Sequence, residues 1–180
     1  MRNSPEASLI ASFRQFVIDQ QLVAEIDCHF GGDSNDRADV ELCIDVTAWP
    51  EGMPRRILLE AKSHNSTDAP NTINKIFGQL LKETGKSIRN SWESSSFCLA
   101  ILIPIDGINC VQHGKPLKRG SGVEYYRRGF RRIPQDIFNA FGVLVNVRYV
   151  FAYSESNRSL NVYLWSQFCI SDTPLVQYVN

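Results

Sequence analysis

The chain has 180 residues, 43% of them hydrophobic and 21% charged, enough apolar side chain to build a core without disulfide or metal staples. Nineteen Lys and Arg balance nineteen Asp and Glu, which argues against a uniformly basic nucleic-acid coat protein. The longest apolar run, 97–105, contains Pro104 and falls well short of the ~20 residues a bilayer span requires, so no membrane helix is expected.

The neutral total hides a polar distribution. Residues 1–51 carry ten acidic side chains against three basic ones, whereas 115–132 carry seven basic ones against one acid. Such a separation suits a site that handles an anion. Five cysteines, Cys28, Cys43, Cys98, Cys110 and Cys169, show no paired or metal-type spacing with one another or with His29, His64 and His113. That pattern, with no secretory leader at the N-terminus, predicts reduced thiols and a cytoplasmic protein.

In chain order, Ser4 as cap, Pro5 in the first turn and an apolar stripe of Leu9, Ile10, Phe13, Phe16 and Val17 predict a helix over 4–22. A short strand over 25–30 is followed by a turn cluster at 31–36. From 37 to 47 polarity alternates without a break. Ala38, Val40, Leu42, Ile44 and Val46 share one face, and Arg37, Asp39, Glu41, Cys43, Asp45 and Thr47 the other, which predicts a strand. A second strand, 56–62, sets Ile57, Leu59 and Ala61 against Leu58, Glu60 and Lys62. A helix over 72–86 follows, with Ile73, Ile76, Phe77, Leu80 and Leu81 inward and Lys75, Gln79, Lys82 and Lys86 outward. The run 97–103 reads as a central strand covered on both faces. Residues 106–122 form a Gly- and Lys-rich loop, 123–141 a helical region interrupted at Gly129 and Pro134, and 144–153 and 160–167 two strands. The expectation is one α/β domain over 1–180, a mixed central sheet flanked by helices, with a basic segment at 106–132.

Asp39, Glu60 and Lys62 carry the chemical interest. Glu60 and Lys62 are two apart on one strand and point the same way. If the strand bearing Asp39 pairs with theirs, two carboxylates and an ammonium converge. Two carboxylates at one point repel unless a cation lies between them, and an all-oxygen donor set favours Mg²⁺ or Mn²⁺. A metal, a water and a lysine suffice to hydrolyse a phosphodiester. The same residues also fit solvated positions on an edge strand, and Glu41 is an alternative to Asp39 about 7 Å along the same face.

The pattern Ala-Asp39-Val, then Leu-Glu60-Ala-Lys62, then a helix bearing Gln79-Leu80, resembles the PD-(D/E)xK nucleases of the restriction-endonuclease-like superfamily over about 4–105. The resemblance implies a restriction-endonuclease-like core and a Mg²⁺- or Mn²⁺-dependent deoxyribonuclease. In it Asp39 and Glu60 hold the metal, Lys62 assists the attacking water, Glu6 is an additional acid and Gln79 approaches the site. Glu25 competes with Glu6, and Ala38 stands where the motif has proline.

DNA is the expected partner. Lys75 and Lys82, with Lys86, would track a phosphate backbone, and Lys118, Arg119, Arg127, Arg128 and Arg131, interleaved with Tyr125, Tyr126 and Phe130, would bind by charge and stacking. The bland alternatives are a solvated lysine face and a basic helix with its rings packed inward. Two active sites cut two strands most simply, so a homodimer belongs to the reading. The rival readings are a catalytically inactive nucleic-acid-binding domain and a protein-interaction domain of the same fold.

Overall fold

The computed structural model describes residues 5–24, 28–31, 37–63, 69–85, 96–106, 111–112, 115–116 and 122–180. Helix α1 (Pro5–Asp19) precedes strands β1 (His29–Phe30), β2 (Val40–Cys43) and β3 (Arg56–Ala61). Helix α2 (Ala69–Thr84) leads to β4 (Phe97–Pro104), and a two-strand ribbon, β5 (Val111–Gln112) and β6 (Lys115–Pro116), follows. Helices α3 (Gly122–Phe130) and α4 (Gln135–Leu144), strands β7 (Val147–Ser154) and β8 (Ser159–Leu164), the short helix α5 (Trp165–Phe168) and strand β9 (Val176–Val179) complete the order.

Seven strands form one mixed sheet in the order β1-β2-β3-β4-β7-β8-β9. β3, β4 and β7 run parallel, and the outer pairs are antiparallel. Alternation decides which residues face which layer. On one side of the sheet, Ile57, Leu59 and Ala61 of β3 and Cys98, Ala100 and Leu102 of β4 meet the α1 stripe predicted from sequence. On the other, Leu58 and Leu99, Ile101 and Ile103 pack under α2, α3, α4 and α5. β4 is buried on both faces, as its unbroken apolar run requires.

Several boundaries differ from the sequence reading. The alternation over 37–47 yields only a four-residue strand, because the chain turns after Ile44 and leaves Val46 58% exposed. Ala38 packs in the layer of α2, not with Val40 and Leu42, since the regular pleat begins only at Val40. Leu81 of α2 and Leu144, at the end of α4, are exposed. Residues 165–167, read as the end of a strand, belong instead to α5, and β9 is an addition to the sequence reading. Cys28, Cys43, Cys98 and Cys169 are unbridged. Among the described residues no helix is long and apolar enough to cross a membrane.

Candidate active site

The hairpin register brings the acids together. Val40 pairs with Leu59 and Glu41 with Leu58, so one further step sets Asp39 across from Glu60. The ladder does not take that step. The Ala61 amide, which points towards β2, donates instead to Asp39 Oδ2 at 2.9 Å. A carboxylate thus replaces the backbone partner at the end of the strand, and this fixes Asp39 beside the C-terminal end of β3.

Lys62 lies one residue beyond β3, with its amide bonded to Leu102 O of β4 at 2.8 Å. Its ammonium is the point of convergence. Nζ donates to Glu60 Oε1 at 3.1 Å and to the Ala61 carbonyl at 2.6 Å. It lies 3.7 Å from Glu6 Oε2, contributed by the first turn of α1, and 4.0 Å from Asp39 Oδ2. Glu60 and Lys62 are only 5% and 7% exposed, whereas Asp39 and Glu6 are open to solvent on one side. The site thus has a buried floor and an accessible rim.

Three carboxylates around one ammonium leave an excess of two negative charges when all are ionised. Burial raises the Glu60 carboxyl to about 7; the attraction of Lys62 opposes this, while Asp39 and Glu83 add to it. Burial likewise raises Glu6, again against the pull of Lys62. Carboxyls held above their ordinary range are groups that a further cation would stabilise in the charged form.

Among the described residues no group of three or more His, Cys, Asp or Glu side chains is arranged to hold a metal ion as it stands, because the acids turn to Lys62. The donor chemistry nonetheless fits a hard divalent cation: oxygen donors only, an excess charge of two once the acids are ionised, and an open rim.

The remaining residues divide. Glu41 is buried but held elsewhere, accepting from the Ala38 amide at 3.4 Å and lying 3.8 Å from Arg37 Nε, so Asp39 rather than Glu41 meets the lysine. Gln79 lies on α2 with Oε1 buried and without a hydrogen-bond partner among the described residues, which places it further inward than the outer face expected for it. Lys75 and Lys82 are exposed on α2, and Arg128, Arg131 and Arg132 are exposed at the end of α3 and just past it. Arg131 also donates from Nε to Cys169 O at 2.8 Å.

Arg127 departs from its expected role as a surface contact. It is 3% exposed, donates to the carbonyls of Phe168 and Ser171, both at 2.8 Å, pairs with Glu124 and Asp172, and lies over the rings of Tyr163 and Phe168. Tyr126 and Phe130 are core residues, so the inward-packed helix describes these rings. Lys118, Arg119, Lys86, Glu25, His64 and His113 lie outside the described residues.

Glu83, 4% exposed, was missed. Its spacing from Ile76 and Leu80 put it on the inward stripe of α2, a signal that was available in the sequence. No family model, no curated protein and no solved structure matches the chain.

Proposed function

We propose that this chain is a metal-dependent deoxyribonuclease that hydrolyses phosphodiester bonds, with Asp39, Glu60 and Lys62 as its centre. The observation that carries the reading is the meeting of carboxylates from α1, the residue before β2, and β3 on one buried ammonium. The order helix, antiparallel strands, helix, parallel strand agrees with the restriction-endonuclease-like core that the sequence resemblance implies.

Asp39 and Glu60 would hold Mg²⁺ or Mn²⁺, with Glu6 supporting from the rim. When bound, the ion supplies a water of lowered pKa and neutralises charge on the phosphate. Asp39 is held by the Ala61 amide through Oδ2, so its other oxygen keeps a fixed direction. Lys62, relieved of part of its carboxylate load, orients the attacking water and faces the charge that grows on the phosphoryl oxygens. Gln79 supports from α2. The exposed bases of α2, of α3 and just past α3 lie on one side of the sheet, where they suit the DNA backbone: Lys75, Lys82, Arg128 and Arg131. Arg127 has no place among these contacts. A homodimer would bring two such centres to a duplex.

The test is a cleavage panel of single-stranded, duplex and branched DNA with Mg²⁺ or Mn²⁺. Wild type is expected to cut, and Lys62→Ala to fold and not cut. Equal cutting by both proteins would remove Lys62 from the mechanism, and no cutting on any substrate would remove the reading.

A further inference from the structure

The lysine at the centre of the site has a backbone that β3 no longer holds. Lys62 lies past the last strand residue, and its amide still reaches Leu102 O of β4. On the carbonyl side the contact comes from the other half of the chain: the Tyr126 hydroxyl donates to Lys62 O at 3.4 Å. Tyr126 is fully buried, and its ring packs edge-on against Tyr125 and tilted against Phe130.

Helix α3 is itself fixed at both ends. At its start, the Gly122 amide bonds Ile105 O at 3.0 Å, and a Cβ at Gly122 would lie 1.8 Å from Pro104 O, so only glycine allows this approach to the end of β4. Further along, Arg127 ties the helix to the Phe168 and Ser171 carbonyls. The tyrosine oxygen is therefore carried on a rigid support.

The geometry points to Tyr126 as a positioning residue for Lys62. Its hydroxyl fixes the peptide that follows the lysine, and through it the direction in which Nζ leaves the strand. This role rests on the nuclease reading and adds a residue that touches neither substrate nor metal. It also reassigns α3: the inner face of that helix braces the lysine, whatever its outer face binds.

The test compares wild type, Tyr126→Phe and, as a packing control in the opposite layer of the sheet, Val162→Ala, at a fully buried β8 residue. Tyr126→Phe keeps the ring and removes only the hydroxyl. It is expected to lower kcat by about ten- to a hundredfold with KM within about twofold, since small misplacement of a reacting group costs on this scale. Without added metal, amide exchange at Lys62 is expected to speed up by about twofold, the worth of one long hydrogen bond. Val162→Ala should lower the melting temperature and leave kcat in place.

Unchanged kcat and unchanged Lys62 exchange in Tyr126→Phe would overturn the assignment while leaving the nuclease reading intact. So would a loss of kcat that merely follows the melting temperature across both variants. A wild type that cuts nothing would defeat the nuclease reading itself, and the positioning role with it.

Discussion

Replacing Glu60 with Gln should stabilise the metal-free protein, although it removes a partner of Lys62. The Glu60 carboxyl is pushed from 4.5 to about 7, chiefly by burial, and that net value already includes the attraction of the lysine. Between these two values the folded chain holds a proton that the unfolded chain has released. Stability should therefore fall as pH rises from about 4.5 to about 7 and level off above that. The shift corresponds to about 3 kcal/mol. Gln resembles the protonated acid in shape and charge, so Glu60→Gln lacks this loss. The two proteins should differ by about 1 kcal/mol near pH 5 and by about 3 kcal/mol near pH 8, with the variant more stable. For a chain of this size the larger difference is about 6–12 °C in melting temperature. Urea and thermal unfolding across that pH range, with chelator present, measure it directly. Saturating Mg²⁺ should then narrow or reverse the order, because an ion at about a hundred times its Kd adds about 2.7 kcal/mol to the protein that binds it. Parallel stability curves for the two proteins across this range would refute the argument from buried charge.

Three further outcomes follow from the same geometry. Mg²⁺ binding measured by calorimetry should tighten as pH rises through about 7 and should release protons, because the Glu60 and Glu6 carboxyls are both held above their ordinary range; affinity independent of pH would count against these ligands. Arg127→Ala should cost at least about 2 kcal/mol in stability, since it breaks buried charge-assisted hydrogen bonds, whereas Arg128→Ala should leave stability within about 0.5 kcal/mol and weaken DNA binding; denaturant titration and a binding isotherm separate the two. The double replacement Lys75→Ala with Lys82→Ala should reduce the salt slope of DNA binding by about 2, one for each phosphate no longer neutralised, and an unchanged slope would take α2 out of the interface.

Where local periodicity and burial agreed, the chain could be read directly. The α1 stripe, the β3 alternation and the apolar run of β4 each lie where their spacing puts them. The pair Asp39 and Glu60 was legible for the same reason, because opposite faces of a strand are set by parity and the hairpin register does the rest. Other features depend on contacts distant in sequence. Arg127 looks like one of a run of surface bases, and only the Phe168 and Ser171 carbonyls, more than forty residues on, make it internal. Ala38 follows the alternation in sequence but not in space, since the Asp39 side chain takes the ladder position at Ala61. The Tyr126 contact spans 64 residues and could not have been read from either segment alone.

β4 is the party wall between two apolar rooms, and each room has its own indole. Trp49 lies in the α1 layer beside Phe151 and Tyr178, while Trp165 stacks on Phe138 at 4.2 Å in the opposite layer. Neither layer can loosen without stripping one side of β4, so with the third tryptophan, Trp92, replaced by Phe, Trp49 and Trp165 should lose their native emission at the same denaturant concentration. The molecule carries built-in reporters on either side of its sheet, and their agreement would show that the two layers melt as one unit.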